Sequence, residues 1–237
     1  MGLGSGGGAE VVSRAGPEDA RFEVKFVAAA LRYHALLHWI RMHPAALRRP
    51  FPSRRVNNVY FDTHDLSSFW QVDGAERSKL RLRWYGEVLR SEQSLLEVKR
   101  RRNRLGWKLR FEAGPLDLEA SSWRELMHDL RRRLPPEGAL WLDLHPRPVL
   151  VNRYERHYFA TPDERVRITV DRRQAVYEQR FRSRPNLVNR ANLPDTLVVE
   201  VKFHRRDGQL GARVIQGIPV RVSRNSKYAL GVQSMLT

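Results

Sequence analysis

The sequence predicts an α+β fold dominated by antiparallel strands. Eight or so of them could form an open sheet with one wet face or, in better accord with the charge, an eight-stranded closed β-barrel with flanking helices. Three observations carry this prediction. Short stretches alternate charged and apolar residues, as in Arg21-Phe-Glu-Val-Lys25, Lys79-Leu-Arg-Leu-Arg83 and Val199-Glu-Val-Lys202. Successive strand side chains point to opposite faces, so each stretch gathers its charges on one side. Helical periodicity is confined to two segments, and the strands are joined by short loops instead of regular crossover helices. Closure into a barrel removes exposed edges and accounts for charge that alternates as though buried.

The first twenty residues, opening Met1-Gly-Leu-Gly-Ser-Gly-Gly-Gly, read as a disordered leader. They have neither the basic and apolar regions of a secretory signal nor the Ser or Thr at position 6 of a myristoylation site. Residues 21–237 read as one domain. After the strand around Lys25, Ala28 to Met42 forms an amphipathic helix with Leu31, Ala35, Leu36, Trp39 and Ile40 at helical spacing. Pro44 and Pro50 to Pro52 end it. Asn58-Val-Tyr-Phe-Asp62 is a short strand, followed by a turn through Asp65, the strand near residue 80 and a loop around Ser91. Glu97 to Lys99 and Lys108 to Phe111 flank a hairpin turning near Asn103 and Gly106. Ser122-Trp-Arg-Glu125 is a capping box opening a helix to Leu134, which Pro135-Pro136 stops. Strands follow at Arg153 to Phe159, Arg165 to Asp171, Thr196 to Phe203 and Val220 to Val222.

Charge narrows the function. The chain carries 43 Lys and Arg against 26 Asp and Glu, a net charge of +17, which attracts phosphate-rich ligands through its long-range field. Only six of those cations are lysines, and five of them lie in the alternating stretches. Retained lysine in an arginine-rich chain marks positions where a compact ammonium is needed. Zero cysteine excludes disulfides, thiolate metal sites and Cys nucleophiles, and fits a reducing cytoplasm. No window is long and apolar enough for a membrane-spanning helix.

A sheet face lined by Lys25, Arg81, Arg83, Lys99, Lys108, Arg110, Arg156, Arg167, Lys202 and Lys227 would bind a chain of phosphates through charge-assisted hydrogen bonds. Glu23, Glu97, Asp171 and Glu200 stand among these cations. They either pair with neighbouring strands or hold a hard divalent cation that shares oxygen ligands with phosphate. Phosphoryl transfer needs mainly alignment and charge stabilisation, so no Ser or Cys nucleophile is required.

The motifs Arg21-Phe-Glu-Val-Lys25-Phe, Asn58-Val-Tyr-Phe-Asp62, Arg81-Leu-Arg-Trp-Tyr-Gly86, Leu96-Glu-Val-Lys99, Arg165-Val-Arg-Ile-Thr-Val-Asp171, Val199-Glu-Val-Lys-Phe203 and Ser226-Lys-Tyr228 occur in this order. Together they resemble the VTC domain, the catalytic domain of the vacuolar transporter chaperone polyphosphate polymerases, within the triphosphate tunnel metalloenzyme (CYTH-like) superfamily. The resemblance implies a basic tunnel that binds ATP, tripolyphosphate, pyrophosphate or polyphosphate with Mn²⁺ or Mg²⁺ as cofactor. The γ-phosphate of ATP would pass to a growing polyphosphate chain. It assigns Lys25, Arg81, Arg83, Lys99 and Lys227 to the catalytic set. Lys108, Arg110, Arg156, Arg167, Lys202, Arg224 and Ser226 would contact phosphate or nucleotide, and Glu200, with Glu23 and Glu97, would hold the metal. The hydrolases and cyclases of the superfamily begin Glu-x-Glu-x-Lys. Here Arg21 fills the first of those positions, which favours the polymerase branch and removes one metal ligand.

Three rivals have distinct signatures. A tunnel triphosphatase would release only orthophosphate. A non-catalytic polyphosphate or nucleotide binder, the soluble partner of a membrane protein and peripheral at the membrane through it, would bind without metal. A nucleic-acid protein would bind RNA or DNA with steep salt dependence. Arg100 to Arg104 and Arg131 to Arg133 are basic runs, but no RRM, KH or helix-turn-helix signature accompanies them, so no specific nucleic acid is expected. His34 and His38, four apart on the first helix, lack a third ligand for zinc.

Overall fold

The computed structural model describes residues 11–14, 21–71, 76–102 and 105–236. Its framework is a large antiparallel sheet of β1 (Val11–Arg14), β2 (Arg21–Ala29), β3 (Arg54–Asp62), β4 (Glu76–Tyr85), β6 (Leu95–Arg102), β7 (Leu105–Glu112), β9 (Arg147–Ala160), β10 (Val166–Glu178) and β11 (Thr196–His204). Short β5 (Arg90–Ser91) and β8 (Leu116–Asp117) pair separately. The helices are α1 (Tyr33–Met42), α2 (Ser67–Trp70), α3 (Trp123–Arg133), α4 (Pro136–Leu144), α5 (Gly208–Ile215) and α6 (Lys227–Leu236).

Strand order is β1-β7-β6-β4-β3-β9-β10-β11-β2. The expectation of a closed barrel is corrected here: the sheet is curled, but among the described residues its two ends do not pair with each other. Each end has another partner. β1 takes the outer edge of β7, with Ser13 opposite Arg110. Val222 and Ser223 lie along the free edge of β2, where the Ser223 amide donates to the Lys25 carbonyl at 2.9 Å. An edge strand exposes a row of unpaired donors and acceptors, and both edges satisfy part of that row with extended chain. Val220 to Val222 therefore makes a single bridge and not a full strand. Residues 11–14 likewise correct part of the disordered leader: two adjacent valines suit a pleated edge. Residues 1–10 and 15–20, on which the rest of that reading falls, lie outside the described residues, as does Asn103 at the hairpin turn.

The apolar halves of the alternating strands build two cores on the convex side. One joins Val59, Leu80, Leu82, Trp84, Leu96, Val98 and Phe111 to Trp123, Leu126 and Leu130 of α3. The Ser122 hydroxyl accepts from the Glu125 amide and the Glu125 side chain reciprocates, which fixes where α3 starts. Pro135-Pro136 does end α3, yet Pro136 occupies the first turn of α4, where a missing N–H costs nothing. The other core joins Phe26, Ile168, Val170, Val199 and Val201 to Leu36, Leu37 and Ile40 of α1. The first helix starts five residues later than its periodicity suggests, because β2 runs on to Ala29 opposite Thr196.

Helix α6 lies against the concave side. Tyr60, Leu150 and Arg81 are register partners and so share that face, and Tyr228 and Val232 of α6 pack on Tyr60, Leu150 and Val176. Gly231 makes this close approach possible, since a Cβ there would meet Leu150 Cδ2 at 2.7 Å. Gly231→Ala is expected to cost about 1–3 kcal/mol by overpacking. Because α6 begins with Lys227, the variant should also weaken phosphate binding. Chemical unfolding combined with triphosphate titration tests this, and unchanged values in both would refute the role given to α6.

Candidate active site

Alternation places Glu23 and Lys25 (β2), Arg81 and Arg83 (β4), Glu97 and Lys99 (β6), Lys108 and Arg110 (β7), Arg156 (β9), Asp171 (β10), and Glu200 and Lys202 (β11) on the concave face. Register brings them side by side: Glu200 lies opposite Lys25, Lys202 opposite Glu23, Asp171 opposite Arg156, Lys99 between Lys79 and Lys108, and Glu97 between Arg81 and Arg110. Lys99 of β6 also reaches Glu23 of β2 at 3.9 Å, although several strands separate them in the sheet. That contact measures the curl: residues from opposite ends face one another across a groove.

Three carboxylate-centred clusters organise the groove. Glu97, 3% exposed, accepts from Arg81 Nε at 2.7 Å and Arg110 Nε at 3.2 Å, with Arg83 Nη1 at 3.4 Å and Lys108 Nζ at 3.9 Å. Asp171 holds Arg156 in a bidentate pair at 2.6 and 2.7 Å and receives Lys227 Nζ at 2.7 Å. Glu200 lies 2.9 Å from Lys202 Nζ, 3.5 Å from Lys25 Nζ and 4.0 Å from Lys227 Nζ. Glu23 bridges the same lysines, at 2.9 Å from Lys25 and 3.4 Å from Lys202. Cations outnumber these four carboxylates by more than two to one, so the groove keeps a positive surplus for an anionic ligand.

Burial alone would raise the Glu97 and Glu200 carboxyls, but the surrounding Arg and Lys hold both well below the ordinary range. Burial opposes ionisation at Glu23 too, yet Lys99, Lys202 and Lys25 bring it to about 2. The lysines diverge. Burial would lower Lys25 and Lys227, but Glu200 and Glu23 raise the first and Asp171 and Glu200 raise the second. Burial lowers Lys99, aided by Lys25 and Lys202. It also lowers Lys108 to about 7, aided by Arg81, Arg83 and Lys202 against the pull of Glu97.

Lys108 therefore gives the groove a pH dependence. A bound polyanion favours the charged ammonium, so triphosphate affinity should fall as pH rises from about 7 to 9, by up to about tenfold per unit. The sign for stability is opposite. A lysine depressed below its unfolded value near 10.4 leaves the unfolded chain binding more protons, so this group adds stability as pH rises from about 7 to 10.4. Calorimetric titration of triphosphate across that range, repeated on Lys108→Arg, checks the assignment. A slope that survives the substitution would refute it.

A family model described as VTC domain matches residues 20–236. The chain belongs to the VTC domain family. Among solved structures, the VTC domain is similar to a candidate adenylate cyclase from Bacillus halodurans, with 11% identity and a TM-score of 0.47 over 86% of this chain and 92% of that one. It is also similar to a chain of the Schizosaccharomyces pombe Mediator head module, with 11% identity and a TM-score of 0.39 over 82% of this chain and 88% of that one. No curated protein matches the sequence.

Most residues singled out in the sequence do converge in this VTC domain; Arg167 and Arg224 do not, and Glu97 converges in another role. Arg167 sits at the rim, 53% exposed and paired with Glu164 at 3.1 Å. Arg224 is exposed. Glu97 does not fit a metal ligand, because four cations claim its two oxygens and it serves as the anchor that lets Arg81 and Arg83 stand together. Glu200 and Glu23 fit the donor chemistry better: both are ionised and near one another. Two carboxylates leave a hard cation to complete its shell with phosphate oxygens or water. Among the described residues no cluster of three or more acidic or His side chains could do so alone.

Sequence reasoning missed Lys79, whose Nζ donates to the Ser226 hydroxyl at 2.8 Å, and two tyrosines. Tyr60 hydroxyl accepts from Arg81 at 3.3 Å, and Tyr154 lies under Lys227 Nζ at 4.8 Å and near Arg83 at 3.4 Å. Their position two residues from Asn58 and Arg156, on the same strand face, was the available signal. His34 and His38 are both exposed on α1 and join none of these clusters.

Proposed function

We propose that this VTC domain transfers the terminal phosphoryl group of ATP to inorganic polyphosphate within the concave groove. The observation that carries the reading is the convergence of cations from six strands and α6 on one water-accessible face, in a polyphosphate-related family. Lys227, Arg156 and Lys25 would hold the phosphates near Glu200, with Lys202 and Lys99 extending the row. Arg81 and Arg83, fixed by Glu97, would meet charge that builds on the transferring group, where preorganised donors act most strongly. Attacking and leaving oxygens both belong to phosphates, so aligning one chain along the row supplies most of the catalysis. Glu200 and Glu23 would hold Mn²⁺ or Mg²⁺, which would supply neutralisation of phosphate charge.

Purified protein incubated with ATP and Mn²⁺ is expected to make long, acid-labile phosphate polymer. Release of orthophosphate alone from tripolyphosphate would replace this reading with a triphosphatase. Binding of polyphosphate that is equally tight in EDTA, without turnover and unaffected by Glu200→Gln, would replace it with a non-catalytic binder that could serve a membrane-protein partner.

A further inference from the structure

A second arginine-rich cavity opens on the opposite, convex side of the sheet. It encloses about 510 Å³ and is lined by Arg55, Arg153, Arg173, Arg190, Tyr177 and Leu193, with Asp195 the acidic member of its wall. The arginines come from four separate places. Arg55 is on β3, Arg153 on β9, Arg173 on β10, and Arg190 on the segment that bridges back to Tyr177. Alternation puts Arg153 on the face away from Tyr154 and Arg156. Arg173 reaches the same side because β10 bulges between Arg172 and Ala175, where Arg173 adopts φ +52°. A non-glycine residue at positive φ is costly, and a bulge re-aims side chains.

The charges in this cavity are unequally compensated. Arg55 pairs with Glu87 at 3.2 Å and Arg173 with Glu155 at 3.5 Å. The hydrogen bonds of Arg153 and Arg190 instead go to neutral groups. Arg153 Nε donates to Asn57 Oδ1 at 2.8 Å and its Nη2 to the Glu87 carbonyl, while Arg190 Nη2 donates to the Gln174 carbonyl at 3.4 Å. These bonds aim two guanidiniums without neutralising them. A guanidinium matches phosphoryl oxygens as a two-pronged donor. The volume exceeds what one phosphate fills, and Ala175, Leu193, Pro194 and Tyr177 supply an apolar wall.

We propose that this cavity is a second anion site, separate from the groove, for a ligand bearing adjacent phosphoryl groups. Strands β3, β9 and β10 each present groove residues on one face and cavity residues on the other, so occupancy on either side bears on the same backbone. An inorganic oligophosphate and a nucleoside triphosphate share the required chemistry, and the apolar wall separates them: a nucleoside would gain contacts that triphosphate lacks.

The test is equilibrium dialysis of the full chain with radiolabelled triphosphate at fixed salt. Two sites per chain are expected for the unaltered protein. Arg173→Gln with Arg190→Gln, both on exposed side chains, should remove one site and leave the other within about twofold. Lys25→Ala with Lys227→Ala should remove the complementary one. ATP competing at least tenfold better than triphosphate for the site that survives in the groove variant identifies a nucleotide ligand; equal competition identifies an inorganic one. A single site in the unaltered protein that the Lys25 and Lys227 changes remove overturns the proposal, as does a second site indifferent to Arg173 and Arg190. A single site that only the Arg173 and Arg190 changes remove would instead defeat the function proposed above.

Discussion

Glu97→Gln should be the most damaging single substitution to the fold of the groove. The change keeps size and shape but removes the negative charge on which Arg81, Arg83, Lys108 and Arg110 converge. Breaking a buried pair from one side leaves cations uncompensated, typically at about 3–5 kcal/mol, against a total stability of roughly 5–15 kcal/mol for a domain. The loss should shrink on adding tripolyphosphate, which supplies the missing negative charge. The pH dependence has a definite sign. A carboxyl depressed in the folded state contributes stability above its unfolded pKa near 4.3 and loses it as pH falls toward the folded value, so the variant should lack that part of acid denaturation. Urea melts with and without triphosphate decide the matter, and a loss below about 1 kcal/mol, untouched by ligand, would remove Glu97 from its anchoring role.

The largest effect on turnover is expected at Lys227. Removing its ammonium leaves Asp171 still bound by both prongs of Arg156, so Lys227→Ala should fold. It deletes a buried cation beside Glu200, and loss of one such donor costs on the order of 10²–10³ in rate. Arg131→Ala with Arg132→Ala, on the exposed face of α3, should change activity by less than about threefold, because surface charges act through a screened field. The exposed ion pair of Arg131 with Asp143 adds little stability to lose. Steady-state polymer synthesis compares the two variants, and equal, mild losses would mean that the charge acts diffusely.

The concave cation set was legible because period-2 alternation is local: Glu23 with Lys25, Arg81 with Arg83 and Glu200 with Lys202 declare their shared face within three residues. Fold class followed from the same signal. Closure did not, since whether two edges meet depends on what else covers them, and Val222 and Val11 carry no such mark. Helix α6 escaped for a similar reason. Its residues after Lys227 are only moderately amphipathic, and the partner that stabilises it, Leu150, lies far away in sequence. The α4 helix was obscured by reading Pro135-Pro136 only as a terminator. Arg167 matches its motif and Arg224 stands where the family pattern has a lysine, yet a rim position and an exposed segment are tertiary outcomes that motif order does not encode.

The contact between Lys25 and the Asn225 carbonyl, at 3.1 Å, joins residues 200 positions apart. Lys227 then caps the cluster from the start of the final helix. Contacts of such separation form late, after closure of a very long loop has been offset by other structure. The hairpins of β6 with β7 and β9 with β10 can form as they leave the ribosome, but the phosphate row has no completed centre until residue 227 has emerged and docked. Nascent chains of this protein are therefore expected to carry cationic strands without an organised site, and high-affinity phosphate capture should arise abruptly once residue 227 has docked.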